Sequence, residues 1–388
     1  MLARFDFAQE GGGRLVARFS RPSGLRIARR VDEVVPALAW AQERAHAGCW
    51  VAGFVAYEAA PAFDPAFAVL PAGSLPLAWF AAFSQGDFLP APDEAAGETP
   101  GNAAAAPRWR IATSRRDADA AIAAIRAQIA AGGVYQVNLT TRLHAAWEGY
   151  ASAWFDALRA SQPDGYCAYL DLGSHRIASV SPELFFDWNE GGILTTRPMK
   201  GTAPRDADPE RDAGFARYLR ESAKERAENL MIVDLLRSDL GRIARTGSVR
   251  VASLFDVAAL PTVWQMTSTV RCRTGAEVGL PEVFGALFPC GSVTGAPKVA
   301  AMRTIAALEP GPRGVYCGAV GLLRPGGHAT FNVAIRTVAV DAPAGHAECG
   351  IGSGITYDST AAGEWAEWIA KTRFLGASPA SRYPATCR

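Results

Sequence analysis

The sequence predicts an α+β protein with a large layered body, in which extended and mainly antiparallel sheets are flanked by helices. Two observations lead there. Strand-like stretches bunch together, around 166 to 188 and 193 to 199 and again at 314 to 323, 329 to 340 and 346 to 356, where a parallel sheet would put a helix between each pair. The segments joining them also vary widely in length, which suits hairpins and irregular crossovers better than a doubly wound sheet. No internal repeat is visible.

Taken in order, the stretches "GCWVAGFVAYEAA" (48 to 60) and "LPLAWFAAF" (75 to 83) read as buried strands of an N-terminal α/β region, residues 1 to 91. Residues 92 to 107, "PDEAAGETPGNAAAAP", are rich in Ala, Gly and Pro without apolar period and read as a linker or loop. The segment 117 to 145 reads as an amphipathic helix that stops at Gly132-Gly133 and turns into a strand. A further strand is predicted near 249 to 254, and helices near 208 to 244, 280 to 287, 296 to 308 and 358 to 375. The main body is placed at 108 to 378, followed by a short tail at 379 to 388.

Composition excludes several classes of function. In 388 residues, 39 Lys and Arg stand against 38 Asp and Glu, so no field of one sign is available for nucleic acid or a membrane surface. The first residues lack the pattern of a secretory signal, and no apolar run reaches the roughly 18 to 20 residues needed to span a bilayer. A cytoplasmic protein is expected. Its seven Cys are odd in number and never form C-x-x-C, which fits reduced thiols rather than disulfides or a structural zinc site. Two glycine-rich stretches imitate nucleotide loops. "GIGSGI" (350 to 355) lacks the G-x-G-x-x-G spacing, and "GSVTGAPK" (291 to 298) puts A-P before its Lys with no Ser or Thr behind it. Both still offer free backbone N–H groups to an anion.

Three groups of residues carry chemistry. In "TTRPMKGTAPR" (195 to 205), Lys200 stands between a proline-led strand and a glycine-threonine turn, either as a surface charge or as an amine aimed into a cleft. In "AKERAENLMIVDLLRSDL", Glu228 lies on the helical line of Ile232 and Leu235, with Glu225 one turn before it. A carboxylate among apolar neighbours has to be protonated, paired or bound to metal. In "STAAGEWAEWIAKTRF", Glu364, Glu367 and Lys371 share one stripe and Trp365, Trp368 and Ile369 the other. On its own that stripe reads as a solvated face. Four carboxylates converging from the two helices would instead form an oxygen-only site suited to Mg²⁺.

"SPELFF" (181 to 186), "RPMKGTAPR" (197 to 205), "AENLMIVDLLRSDLGR" (227 to 242), "FPCGSVTGAPK" (288 to 298), "RGVYCGAVG" (313 to 321), "IRT" (335 to 337) and "GITYDS" (354 to 359) occur in an order that resembles the chorismate-utilising enzymes, over roughly 115 to 375. The resemblance implies a Mg²⁺ enzyme with the fold of anthranilate synthase component I. It implies that Glu228 and Glu367 hold the metal with Glu225 and Glu364 nearby, and that the backbone of Gly352, Ser353 and Gly354 meets the ring carboxylate. By the same resemblance Tyr316 and Arg336, helped by Lys371, bind the enolpyruvyl carboxylate, and Glu183 is the acid/base that assists loss of the C4 hydroxyl.

Two positions separate the branches of that family. Members that add water resemble one another in a Lys where this chain has Gln136, and glutamine cannot serve as that base, so ammonia is the expected nucleophile. Anthranilate synthases carry Ala where this chain has Lys200, whereas the P-x-K-G-T pattern resembles the branch that makes 4-amino-4-deoxychorismate on the route to p-aminobenzoate and folate. There the lysine attacks ring C2 and is later expelled as ammonia adds at C4. Thr202 is expected to bond substrate or nucleophile. The resemblance further implies ammonia from a separate glutamine amidotransferase subunit and an aminodeoxychorismate lyase downstream. Anthranilate synthesis and binding of chorismate without turnover are the alternatives. The chain departs from the family at Gln265, where many relatives have His, and at Cys290, where they have Gly.

Overall fold

The protein was analysed as a computed structural model, which describes residues 2–84, 107–149, 151–160, 162–260 and 263–376. Most of the expected linker and the whole of the tail at 379 to 388 lie outside the described residues.

Chain order begins with β1 (Leu2–Ala8), β2 (Arg14–Phe19), β3 (Gly24–Ala28), α1 (Val34–His46), β4 (Trp50–Val55) and β5 (Ala78–Phe83). It continues through β6 (Arg110–Ile111), α2 (Arg115–Ala130), β7 (Gln136–Ala146), α3 (Ala151–Ala160), β8 (Tyr166–Asp171), β9 (His175–Ser181), β10 (Leu184–Trp188), β11 (Ile193–Arg197) and β12 (Met199–Pro204). The second half holds α4 (Pro209–Glu221), α5 (Ala223–Gly241), β13 (Arg250–Ala259), β14 (Val263–Arg273), α6 (Leu280–Leu287), β15 (Gly295–Ala296) and α7 (Lys298–Leu308). It closes with β16 (Ala319–Leu323), β17 (Ala329–Val333), β18 (Thr337–Asp341), β19 (His346–Ile355) and α8 (Ala361–Lys371).

The strands form two sheets. One runs β15-β7-β19-β18-β9-β8-β1-β2, with β6 on β7; the other runs β12-β14-β11-β10-β17-β16-β4-β5-β3, with β13 on β14. The β4·β5 and β8·β9 hairpins and the long β7·β19 ladder are all antiparallel. The sheets stack face to face. Phe5 and Phe7 of β1, Leu170 of β8, Phe54 of β4 and Val320 of β16 interdigitate in one apolar layer between them. Alternate residues of the same strands point outward: Tyr169 of β8 belongs to an apolar layer shared with α2, α3, α7 and α8, and Val51 and Val55 of β4 to one shared with α1, α5 and α6. Each inner strand is therefore buried on both faces, which is why "CWVAGFVAY" reads as a continuous apolar run rather than an alternating one.

Residues before and after the 92 to 107 segment share both sheets: β1 pairs with β8, and β4 with β16. The expected helix at 208 to 244 is two helices. At Ser222 the backbone turns extended (ψ 114°) and its hydroxyl accepts from the Glu225 N–H, capping α5 and setting the direction in which that helix carries its carboxylates. Strands β1 to β3 and β14, and helix α3, are additions to the sequence-based expectation. Among the described residues, no helix is long and apolar enough to cross a membrane.

Candidate active site

Lys200 stands in a β-bulge. Met199 pairs with Thr267 and Thr202 with Gln265, so two residues of β12, Lys200 and Gly201, oppose the single residue Met266 of β14. Gly201 has φ +92°, and a Cβ there would sit 3.1 Å from Glu225 Oε2 and 3.2 Å from Met266 Cβ, so both conformation and space call for glycine. The bulge sends the Lys200 amine inward, where it donates to the Ser292 carbonyl at 3.3 Å. A Cβ added to Gly354 would lie 3.2 Å from that amine and 2.4 Å from Gln136 Nε2, so Lys200, Gln136 and β19 meet at one point. Burial, reinforced by the Lys371 ammonium, lowers the Lys200 pKa below the ordinary lysine value, and Glu228, Glu183 and Glu367 partly restore it.

Glu183 closes the site from the turn between β9 and β10. It is buried, and burial pushes its carboxyl up to about 7 although Ser292 Oγ donates to it and Lys200 is near. Ser292 thus touches both groups: its hydroxyl lies 2.7 Å from Glu183 Oε1, and its carbonyl accepts from Lys200. Sequence reasoning passed over Ser292, whose only signal was its place in the glycine-rich stretch dismissed as a nucleotide loop. Cys290 Sγ lies 3.2 Å from Ser292 Oγ. Gln136, at the start of β7, is completely buried, and among the described residues neither its amide oxygen nor its nitrogen has a partner. A buried amide left unbonded costs free energy unless a ligand or water satisfies it.

The glycine-rich stretch of β19 pairs with β7 at Gly352↔Thr140, Ser353↔Leu139 and Gly354↔Asn138. Its pairing with β18 ends at Cys349, so among the described residues this strand has a ladder partner on the β7 side alone from Gly350 onward. Tyr316 is buried against it: a Cβ on Gly350 would lie 2.1 Å from the tyrosine ring. On the ring's other neighbour, the Arg142 guanidinium sits 5.3 Å from its centroid. Arg336 has φ +48°, a left-handed conformation rare for arginine. Burial alone lowers its pKa to about 10, its Nη1 donates to Gln162 Oε1, and it has no carboxylate partner among the described residues.

The carboxylates are arranged differently from the expected stripe. Glu364 is on the buried side of α8 with Trp368, and both converge on Ser353 Oγ, the glutamate as acceptor and the indole as donor at 2.8 Å. Glu367 is half-exposed and pairs with Lys371 at 2.7 Å, while Lys371 also donates to the Gly352 carbonyl. Burial would raise Glu367, but the Lys371 ammonium holds it below the usual range. Glu225 and Glu228 are raised, mainly by burial and then by each other's or Glu367's charge against the lysines. These three acids share one electrostatic neighbourhood. Four-fold convergence is not observed: Ser353 takes Glu364 and Lys371 takes Glu367, and among the described residues no three His, Cys, Asp or Glu stand close enough to hold a metal ion. Thr202, expected to face the substrate, is exposed and donates to Gln265 Oε1 at 3.0 Å. Lys298 of the false nucleotide loop is structural, paired with Asp239 at 2.9 Å. A cavity of about 290 Å³ lined by Phe7, Tyr166, Asp187, Arg197, Arg324 and His328 includes none of the site residues.

Two antiparallel sheets with outer helices carry Lys200, Glu183, Gln136 and the glycine-rich end of β19 to one place. The chain belongs to the family of chorismate binding enzymes, whose pattern it matches over residues 13–376. It is 43% identical over 263 residues to aminodeoxychorismate synthase component 1 of Klebsiella aerogenes, a stretch covering 68% of this chain and 58% of that protein. It is 40% identical over 255 residues to anthranilate synthase component 1 of Streptomyces coelicolor, covering 66% and 49%. The match therefore spans little more than half the length of such relatives. The fold resembles that of anthranilate synthase component I from Streptococcus pneumoniae, with a TM-score of 0.75 and 26% identity over 96% of this chain and 90% of that one.

Proposed function

We propose that the chain is an aminodeoxychorismate synthase component I, converting chorismate and ammonia to 4-amino-4-deoxychorismate for p-aminobenzoate and folate synthesis. The observation that carries the proposal is the Lys200 amine, half-buried and delivered by a glycine-dependent bulge to a point beside Gln136 and Gly354. Burial favours the neutral amine, the form that attacks. Lys200 Nζ bonds ring C2 while the C4 hydroxyl leaves as water, taking the proton that Glu183 holds up to about pH 7. Ammonia then bonds C4, the Lys200–C2 bond breaks, and the electron pair returns to the lysine. Gln136 offers the incoming nucleophile an amide with both ends free and no base to activate water.

Arg336, a half-buried cation with no carboxylate partner among the described residues, suits one substrate carboxylate, and Tyr316, packed on Gly350, is the expected second contact. The ring carboxylate falls to the half-paired β19 backbone at Gly352, Ser353 and Gly354 and to Lys371. The acids Glu225, Glu228 and Glu367, with Glu364 behind them, offer oxygen donors only and two of the four are reluctant to ionise without a cation, the donor chemistry Mg²⁺ takes, although the ion would have to draw them closer together than they stand. Bound there, Mg²⁺ would neutralise a substrate carboxylate. Ammonia is expected from a separate glutamine amidotransferase subunit in the cytoplasm, with a lyase acting next. Mass analysis of the product from chorismate, ammonium and Mg²⁺ tests the proposal. A product that keeps its enolpyruvyl group and becomes p-aminobenzoate only when lyase is added supports it. Fluorescent anthranilate without lyase would assign the chain to the other branch, and binding without consumption would make it a non-catalytic subunit.

A further inference from the structure

The bulge that aims Lys200 is held by two side-chain amides that the reaction itself does not use. Gln265, opposite Thr202 on β14, is buried, and both ends of its amide are committed to the bulge. Its Nε2 donates to the Gly201 carbonyl at 2.8 Å, and its Oε1 accepts from Thr202 Oγ1 at 3.0 Å. The other N–H of the same nitrogen is 3.4 Å from the Met266 carbonyl, which leaves no strong donor or acceptor for a substrate. From the opposite side Asn229 of α5 donates to the Lys200 carbonyl at 3.4 Å and accepts from Ser268 Oγ of β14 at 2.6 Å. The carbonyls of both inserted residues are thus bonded by amides, one from β14 and one from the helix that bears Glu225 and Glu228.

A bulge interrupts its ladder, so its peptide groups need partners other than the neighbouring strand, and without them the strand is free to change register. Gln265 supplies that partner at the residue following Lys200. We propose that Gln265 is a positioning residue for Lys200, fixing the Gly201–Thr202 turn through both ends of its amide so that the amine is presented beside Gly354. The proposal rests on Lys200 being the nucleophile. Misplacing a reacting group by about 1 Å can cost on the order of 100-fold in rate while leaving substrate binding intact.

The test compares wild type with Gln265→Ala and Gln265→Glu, the second keeping size and the acceptor for Thr202 while losing the donor to Gly201. Formation of the Lys200 adduct is followed by mass spectrometry after rapid quenching without ammonia. Gln265→Ala is expected to slow the adduct and kcat by about 10- to 100-fold with KM for chorismate nearly unchanged, and Gln265→Glu to fall between it and wild type. Amide hydrogen exchange over 199–204 reads the clamp without chemistry and should quicken in Gln265→Ala. A raised KM at unchanged kcat would make Gln265 a substrate contact, and wild-type adduct rates in both variants would remove its role; either overturns the proposal. Unchanged exchange at 199–204 overturns it as well. Absence of any adduct in wild type would instead strike the nucleophile assignment, with the exchange result still deciding whether Gln265 holds the bulge.

Discussion

Two arginines, Arg313 and Arg336, make the comparison that separates scaffold from site in this molecule. Arg313 donates to both oxygens of Glu309 at 3.0 and 2.6 Å and to the carbonyls of Val293 and Asn138, with its face 4.5 Å from the Tyr57 centroid. Burial would lower its pKa, but Glu309 outweighs burial and holds it well above the ordinary arginine value. Arg336 is half-buried where Arg313 is wholly so, yet burial acts on it without a compensating anion among the described residues. The lysines repeat the pattern: Lys298 pairs with Asp239, whereas Lys200 rests on a carbonyl. Charges that the fold needs are paired within the fold. Lys200 and Glu183, less completely paired, stand together at Ser292, with the amide of Gln136 beside the lysine.

The largest expected effects would break or confirm that division at the lysines. Lys200→Ala should lose the chorismate-derived adduct and cut aminodeoxychorismate formation by about three orders of magnitude or more, because the reaction loses its nucleophile. Its melting temperature should hold or rise, since a desolvated and imperfectly paired amine contributes little to folding. Lys298→Met should do the opposite. It leaves Asp239 buried and unpaired, at a cost of about 3 to 5 kcal/mol of stability. Wild-type turnover in Lys200→Ala, read by product mass, would end both the nucleophile assignment and the lysine comparison.

The arginines come next. Arg336→Lys keeps a charge and loses the planar fork, and should weaken kcat/KM for chorismate by about 2 to 4 kcal/mol with little change in thermal unfolding. Arg313→Lys should lower the melting temperature and disturb kcat/KM less, because four side-chain bonds of the scaffold depend on that fork. Steady-state kinetics and calorimetry on the same two proteins decide it, and an unchanged kcat/KM in Arg336→Lys would move the carboxylate site elsewhere.

The layered fold was legible in the sequence, and the reasons for what was missed are physical. The helix over 117 to 131 and the strand after it were visible because a periodic segment ends at two glycines. Strand β14 was not, since "VWQMTSTVRCR" is polar at the positions where Gln265 and Ser268 bond neighbouring chain. Helical spacing put Glu364 and Glu367 on one stripe, but only the packing shows that residue 364 is rotated inward onto Ser353 while residue 367 stays with Lys371. Ser292 and Asn229 act through contacts with residues 109 and 29 positions away, and spacing along the chain says nothing of such pairs.

The smallest expected effect is the pH dependence set by Glu183, which is to Glu309 what Arg336 is to Arg313. Glu309 has its guanidinium, whereas Glu183 has a serine hydroxyl and a nearby amine, and its carboxyl is pushed from 4.5 up to about 7 by burial. As the acid that assists loss of the C4 hydroxyl it must carry its proton, so kcat/KM should fall about tenfold per pH unit above roughly 7. The same shift affects stability with a definite sign. Between 4.5 and about 7 the folded chain keeps a proton that the unfolded chain has released, so the contribution of Glu183 to stability declines as pH rises through that window. Glu183→Gln, which cannot ionise, should lose most turnover and also lose this decline, becoming more stable relative to wild type at pH 8 than at pH 4. Equal pH dependence of unfolding in the two proteins would mean that Glu183 is ionised in the folded state, and the proton would then have to reach the leaving hydroxyl from another group.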